Sequence, residues 1–394
     1  MMAAIRAGEL NGDVTLIEKN DALGRKLLLT GGGRCNFTNT NELGPFLEKF
    51  SGNGQFLRDA FKVFFSYDLI GFFKKRGIGV KVEDQGRVIP ETERADTVIE
   101  ILGKELQKNG VNVLFKKRLE KVVVKNDKVE GVTLSDGTCM RADKVILAAG
   151  GITYPTTGSS GEVFTILEGL GHKIVPTRVG LVPLKTREDY SALEGITLKD
   201  VSLKVRVDGR LKSLSARGDV LFTRAGISGP VVLSLSGEIA DRLGEGKKVS
   251  VEMDIKPGPD GPGLDAVFAR NPEKSVKNAI QGLVPQRFAE VILEAGKIGT
   301  AKKVNQLTIA EKNRLNLLFK AFPLDISGPG SKNEAMVTRG GVSLKEINPR
   351  TMESLKVKGL YFAGEMMDID GDTGGYNLQA AFSTGYLAGQ SALS

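Results

Sequence analysis

The stretch GLYFAGEMMDIDGDTGGYNLQAAFSTGYLAG, residues 359–389, organises the rest of the chain. Gly359 to Ala363 read as a short buried strand, which Gly364 and Glu365 end abruptly with a carboxylate. Gly374 and Gly375 then open a helix, predicted from about Leu378 to Gly389. Lacking a Cβ, they let backbone N–H groups and the positive helix end approach a flat or anionic ligand. Ala380, Ala381, Ser383, Thr384, Gly385 and Ala388 keep that helix thin enough to pack closely on its neighbours. The bland alternative is a strand and helix that only close a sheet.

Working outward, DVTLIEKN (13–20) is a short apolar run that ends in Glu18, followed by Lys19. A parallel strand ending in an acid is the arrangement that takes a ribose hydroxyl. A dinucleotide-binding unit runs strand, GxGxxG turn, helix, strand, acid. Residues 1–20 supply the last three, with 1–10 as an alanine-rich amphipathic helix, so a strand and glycine turn are expected about a dozen residues upstream. An ordinary N-terminal helix and strand is the alternative. Residues 23–39, LGRKLLLTGGGRCNFTN, follow: Gly24, Arg25 and Lys26 suit a pyrophosphate, and Gly31 to Gly33 give a second pliable turn before Cys35 and Asn36. VILAAGG (145–151) is apolar throughout and predicts a central parallel strand whose end, at Ala149 and Gly150, meets a ligand.

The 394 residues allow two or three domains, and 41% hydrophobic with 26% charged residues is ordinary globular composition. No apolar run reaches membrane-spanning length and no signal peptide is visible, which predicts a cytoplasmic protein. Two cysteines, Cys35 and Cys139, and one histidine, His172, leave no basis for a disulfide framework, a zinc site or Ser-His-Asp chemistry, so no metal is expected. His172 follows a helix-ending Gly171 and reads as structural. The formal charge of +8 favours polyanionic partners. Residues 256–320 hold eleven Lys/Arg against six Asp/Glu, either a solvated helical face or a docking face for structured RNA.

Phenylalanines 56, 61, 64, 65, 72 and 73 recur at helical spacing and predict core helices. GRVIPETERADTVIEILGKELQKNG predicts a turn and a helix to about Lys108. Strands then alternate with hairpin turns at Asn126-Asp127 and Asp136-Gly137. ITLKDVSLKVRVDGRLKSLSARGDVLFT alternates apolar and polar around Asp208-Gly209, as an antiparallel sheet or small barrel does, and FTRAGISGP leads to a short helix. After Pro257 the period becomes helical, with Asn271-Pro272-Glu273 as a cap and Thr308 to Glu311 as a capping box; EAMVTRGGV returns to strands. The fold class predicted is α/β, a Rossmann-like domain split by an inserted β-barrel-like subdomain and a small helical subdomain. Its segments are 1–187, 188–256 (β), 257–325 (helical), 326–345 (return strands of the β part) and 346–394.

Five ordered motifs, VTLIEKNDALGRKLLLTGGGRCNFTN, VILAAGGITYPTTGSSG, FTRAGISGP, EAMVTRGGV and the 359–389 stretch, resemble the HI0933-like, or BaiN-type, family of FAD-dependent oxidoreductases along nearly the whole chain. The resemblance implies FAD, with Glu18 on the adenosine ribose, Arg25 and Lys26 near the pyrophosphate, and Val123 meeting adenine through its backbone. It implies Gly364 and Glu365 as the second flavin motif and Gly375, Tyr376, Asn377 and Leu378 beside the isoalloxazine. Lys19, Gly24, Gly33, Ala149, Gly150 and Asp368 complete the cofactor-binding set expected here. Where family members commonly carry Thr-His, this chain has Thr223-Arg224, and arginine effectively never gives up its proton. Cys35 is the candidate proton donor.

The resemblance further implies reduction of an activated C=C bond with NAD(P)H as a transient reductant and the inserted module covering the flavin. The substrate would be a uridine of ribosomal RNA or an enone-type small molecule. A flavin-dependent amine or small-molecule oxidase, and a non-catalytic flavin-binding RNA-interaction protein, are the alternatives.

Overall fold

The computed structural model describes residues 1–256 and 263–394. The chain forms two compact units, Met1–Gly180 with Lys332–Ser394, and Leu181–Ser331. The first therefore takes its residues from both ends of the sequence.

In the first unit, Thr15–Ile17 pairs in parallel with Asn112–Leu114, and Val145–Leu147 pairs in parallel with Leu360–Phe362. Each pair is a separate two-stranded sheet. Val145–Leu147, expected as a central strand, thus has one ladder partner; its apolar residues are covered instead by the cluster of Leu147, Ile152, Phe164, Phe362 and Leu387. Leu119–Lys125, Lys128–Leu134 and Cys139–Arg141 form an antiparallel meander. Asn126 and Asp127 both have positive φ, +49° and +56°, as a tight two-residue hairpin turn demands.

Arg87–Pro90, expected as a turn, is the central strand of a small sheet between Thr38–Asn39 and Val80–Val82. Its Val88 and Ile89 are buried, which outweighs the turn signal of the flanking glycine and proline. Phe61, Phe64, Phe72 and Phe73 are buried around the helices Arg58–Val63 and Ser66–Lys74.

The C-terminal helix, Tyr376–Ser391, begins two residues earlier than expected, immediately after Gly375. It packs on the N-terminal helix Met2–Glu9, and its small residues explain how closely. A Cβ on Gly389 would stand 2.3 Å from the Ala3 carbonyl oxygen, so only glycine fits.

The second unit holds a closed six-stranded antiparallel barrel. In order around it lie Leu184–Thr186, Gly226–Ser228, Arg210–Thr223, Thr197–Val207, Val249–Asp254 and Phe322–Pro329. Val201, Leu203, Val205 and Val251 point inward and alternate with outward polar residues. The helix after FTRAGISGP is long rather than short, Pro230–Gly244, because it contributes Val231, Val232, Leu235 and Ile239 to that core.

Leu264–Arg270, Val276–Ile280, Gln286–Ala295 and Ile309–Lys320 are the helices that follow. The expected change of period at Pro257 lies outside the described residues. Asn271 caps the end of a helix rather than a start: its side chain donates to the Val267 carbonyl at 2.8 Å, and Ser275 caps the next helix. Thr308 and Glu311 do form a reciprocal capping box. The strand Val337–Val342, expected among the barrel's return strands, pairs with Ile174–Gly180 in the first unit.

Candidate functional site

Three parallel strands of the first unit end in the candidate cofactor residues. Thr15–Ile17 runs into Glu18, Val145–Leu147 into Ala149 and Gly150, and Leu360–Phe362 into Gly364 and Glu365. The ends of parallel strands are where open α/β sheets take ligands.

Lys26 joins two of these ends. It forms a short ion pair with Glu365 and donates to Thr153 Oγ1 at 2.8 Å. Glu365 also accepts from the Thr338 N–H at 2.7 Å and from Thr153 Oγ1 at 3.2 Å. Thr338 Oγ1 in turn accepts from the Ile152 N–H at 2.8 Å, and Gly151 is held against it so closely that a Cβ would lie 1.9 Å away. Neither Thr153 nor Thr338 stood out in the sequence; each lies inside a motif whose glycines are more conspicuous.

Glu18 is oriented by Asn20, whose backbone N–H and Nδ2 both donate to Oε1 at 2.9 Å. Asn20 Nδ2 also reaches the Thr157 carbonyl at 3.0 Å, tying this strand end to the turn after Gly150. Lys19 is engaged by Ser160 Oγ at 2.7 Å and by Glu162 at 3.5 Å. Arg25 pairs with the exposed Asp21, which holds that carboxyl below its usual range. Of the two cations expected at a pyrophosphate, one therefore faces a local partner and the other faces Glu365. Gly24 adopts φ +71° with Ile99 packed against its Cα. Ala149 is exposed directly beyond its strand.

A second group gathers at the start of Tyr376–Ser391. Gly374 and Gly375 have φ of +124° and +97°, and a Cβ on Gly375 would lie 2.3 Å from the Thr38 carbonyl oxygen. No side chain caps this helix, so its first N–H groups point outward from a positive helix end. Beside it Asn36 Oδ1 and Thr38 Oγ1 are buried without a hydrogen-bond partner. Buried polar atoms are nearly always satisfied, so this pair leaves hydrogen-bonding capacity unused beside the helix start.

Asn39 Nδ2 donates to the Gly374 carbonyl at 3.1 Å and Asn41 Nδ2 to Tyr376 Oη at 2.8 Å. A recess of about 270 Å3 opens here, presenting Asn41, Lys49, Arg87 and Tyr376. The Asn377 side chain accepts from the Gly371 N–H at 2.8 Å and donates to the Gly371 carbonyl at 2.7 Å, so it shapes the preceding loop. Leu378 packs in the apolar cluster around Phe37 and Phe382.

Gly31, Gly32 and Gly33 all have positive φ, and among the described residues, its chain neighbours aside, no atom lies within 4 Å of where a Cβ on Gly32 would be. Cys35 also has positive φ, +59°, yet its side chain is fully buried among Ile5, Phe37, Phe73 and Val98. Burial pushes its thiol up to about 12, with the Thr30 hydroxyl opposing. That setting is core packing. Asp368 is half-buried, which raises its carboxyl, while Arg339 opposes the shift.

Val123 lies in the meander, opposite Gly131 at a register shift. His172 is buried between Glu346, 3.2 Å from Nδ1, and Ser354 Oγ, 3.1 Å from Nε2. It locks a turn to the segment before the last strand. Arg224 lies in an exposed turn of the second unit.

The residues at hand fit FAD. A carboxylate at a strand end with one oxygen held by Asn20 suits a ribose diol. The uncapped helix start with unpartnered Asn36 and Thr38 suits the donor and acceptor edge of a flavin ring. Among the described residues no group of three or more His, Cys, Asp or Glu could hold a metal, and no helix is long and apolar enough to cross a membrane.

Comparison with known proteins agrees. A 3-dehydro-bile acid delta(4,6)-reductase of Clostridium scindens is 32% identical over 405 residues, covering 100% of this chain and 96% of that protein. A ribosomal RNA dihydrouridine synthase of Escherichia coli is 32% identical over 400 residues, covering 99% and 94%. The fold resembles that of the 3-ketosteroid-delta4-(5alpha)-dehydrogenase of Rhodococcus jostii RHA1, at a TM-score of 0.53 and 15% identity, covering 100% of this chain and 94% of that one. The model of the HI0933-like protein Rossmann domain matches residues 1–391; the chain belongs to that family and is an FAD-dependent oxidoreductase.

Proposed function

We propose that the protein reduces a carbon–carbon double bond conjugated to a carbonyl, using NAD(P)H as the source of electrons. What supports this reading is that Glu18 and the Lys26–Thr153–Glu365 group stand at parallel strand ends, and that the helix Tyr376–Ser391 starts uncapped beside a polar recess. That arrangement suits one dinucleotide with its reactive ring beside a polar recess. The names of the two relatives support the bond type, since each describes saturation of a C=C bond.

Glu18 holds the adenosine ribose in this reading, and Gly24, Lys26 and the turn at Gly31 to Gly33 lie toward the pyrophosphate. Tyr376 and Leu378 present helix N–H groups to the ring. Bound FAD supplies hydride chemistry, and the protein supplies position and electrostatics. Beside Gly374, Asn41, Lys49 and Arg87 line the recess; Asn41 donates to Tyr376, Lys49 pairs with Asp372 at 3.9 Å and Arg87 with Glu83 at 3.5 Å, and a substrate carbonyl that drew on these donors would have its developing negative charge stabilised by them. The substrate is either a uracil ring in RNA or a small enone, and the residues of the recess suit both.

The test is a pair of half-reactions on purified protein. Bleaching of the flavin by anaerobic NADH or NADPH, followed by reoxidation with an enone or a uridine-containing ribosomal RNA fragment, is expected. Reoxidation by oxygen alone would favour a flavin oxidase. RNA binding with no NAD(P)H consumption would favour a non-catalytic RNA-interaction protein.

A further inference from the structure

We propose that the mouth of the barrel, where Arg210, Lys212 and Lys247 face one recess, docks the phosphodiester backbone of RNA. The proposal rests on the RNA branch of the function given above, and it moves the docking face away from the helices of residues 264–320.

Those helices carry the larger basic excess, but many of their cations are already engaged. Lys277 pairs with Glu290 at 2.5 Å, Lys302 with Glu311 at 2.7 Å and Lys303 with Glu273 at 3.0 Å. Lys320 reaches Asp254 at 3.5 Å, and Arg314 donates to the Gly296 carbonyl at 3.1 Å. Phosphate contacts by these five would first have to break those bonds, which cancels much of their electrostatic gain, whereas Arg270, Lys274 and Lys297 are exposed and carry no ion pair among the described residues.

The barrel mouth differs. The hairpin between Thr197–Val207 and Arg210–Thr223 turns at Asp208 and Gly209, both with positive φ, and Val207 sits directly opposite Arg210. Opposed residues share a face, so Arg210 projects on the face whose last apolar member, Val207, closes the core. Lys212, two residues on, shares that face.

The tip is fixed rather than loose: the Asp208 N–H donates to the Lys248 carbonyl at 2.9 Å, and the Lys248 N–H to Asp208 Oδ1 at 3.1 Å. A recess of about 300 Å3 results, lined by Val207, Asp208, Arg210, Lys212 and Lys247. Lys247 is paired with Glu245 at 2.6 Å and Arg206 nearby with Glu252 at 2.6 Å, whereas Arg210 and Lys212 are exposed and carry no ion pair among the described residues. Two free cations on a rigid rim, over a concavity large enough for phosphate oxygens, match a repeating polyanion.

The experiment compares full-length parent and R210E/K212E for binding a fluorescein-labelled ribosomal RNA hairpin across a salt series. Affinity at low salt is expected to fall at least about tenfold, and the slope of log Kd against log salt to flatten by roughly 1.5–2, one phosphate contact per cation. Arg210→Lys with Lys212→Arg should restore both. Lys303→Glu should leave the slope unchanged. Flavin content and NAD(P)H-driven reduction of a small enone by R210E/K212E must match the parent, which separates lost docking from lost folding. Parental affinity and slope in R210E/K212E overturn the proposal. A parent that reduces an enone but shows no salt-dependent RNA binding, or that binds anionic phosphatidylglycerol vesicles and not RNA, overturns it together with the RNA branch. It leaves the enone branch standing.

Discussion

Lys26 and Glu365, 339 positions apart in sequence, form an ion pair that joins the loop after the first strand to the end of the last one. Both side chains are about three-quarters shielded, and Glu365 is further held by the Thr338 N–H and Thr153. Removing one partner leaves the other shielded and unpaired. Lys26→Met and Glu365→Gln should each lower stability by roughly 1–3 kcal/mol and lower flavin content. The double variant should cost less than the sum of the two. Strict additivity in a double-mutant cycle would show that the pair is incidental.

Two glycines of the C-terminal helix should respond with opposite sign to the same change. A Cβ on Gly389 would meet the Ala3 carbonyl oxygen at 2.3 Å, but a Cβ on Gly385 comes no closer than 3.5 Å to Ala3 N and Met2. Gly389→Ala should destabilise by roughly 1–3 kcal/mol as the two helices are forced apart. Gly385→Ala should be neutral or stabilise by up to about 1 kcal/mol, since alanine is the better helix former. Urea midpoints decide it; equal shifts would mean that the helices are not packed as described.

Thiol chemistry should separate the two cysteines. Cys139 is exposed, whereas Cys35 is buried with its thiol pushed up to about 12. Near pH 8 an aromatic disulfide reagent should titrate one thiol in the native protein and two in urea. Cys35→Ala should leave both half-reactions within about twofold of the parent and lower stability by about 1 kcal/mol. A selective loss in substrate-driven reoxidation would restore Cys35 as the proton donor.

His172 should make stability depend on pH. Burial holds its imidazole below the ordinary 6.5, with the Glu346 carboxylate opposing. The unfolded chain therefore takes up this proton at higher pH than the native one. The contribution is complete above about pH 6.5 and is lost as pH falls through the lower native value. His172→Gln should flatten the decline in Tm between pH 7 and pH 5. Parallel curves for parent and variant would remove His172 as the cause.

Much of this molecule was legible in its sequence because local chemistry decided it. Asn126-Asp127 and Asp208-Gly209 demanded positive φ and obtained it. Thr308 with Glu311 announced a helix start, and the alternation around Asp208 matched inward and outward faces of the barrel. Asn271 misled because asparagine caps either helix end, and only the Val267 carbonyl within its reach shows which. Arg87–Pro90 looked like a turn because one of its partners, Thr38–Asn39, is distant in sequence, and the other, Val80–Val82, is joined to it by the turn at residues 83–86. The site divides in the same way. Glu18 and Glu365 were visible as acids ending apolar runs, but Thr153 and Thr338 matter through a bond network that no local pattern records.

Division of the first unit between Met1–Gly180 and Lys332–Ser394 bears on how the protein is made. On the ribosome Lys26 emerges early, and its counter-charge waits until the intervening 151 residues of the second unit, Leu181–Ser331, have been synthesised. Lys26 and Glu365 are 339 positions apart, so at ordinary elongation rates of about 5–20 residues per second the wait is roughly 17–70 seconds. For that time the strand ends lack Glu365 and the helix that begins at Tyr376, while the barrel can already close on itself. A nascent chain should therefore acquire its flavin only after the helix from Tyr376 has been made, and chaperones holding the earlier segments would protect an open half-site rather than a misfolded one.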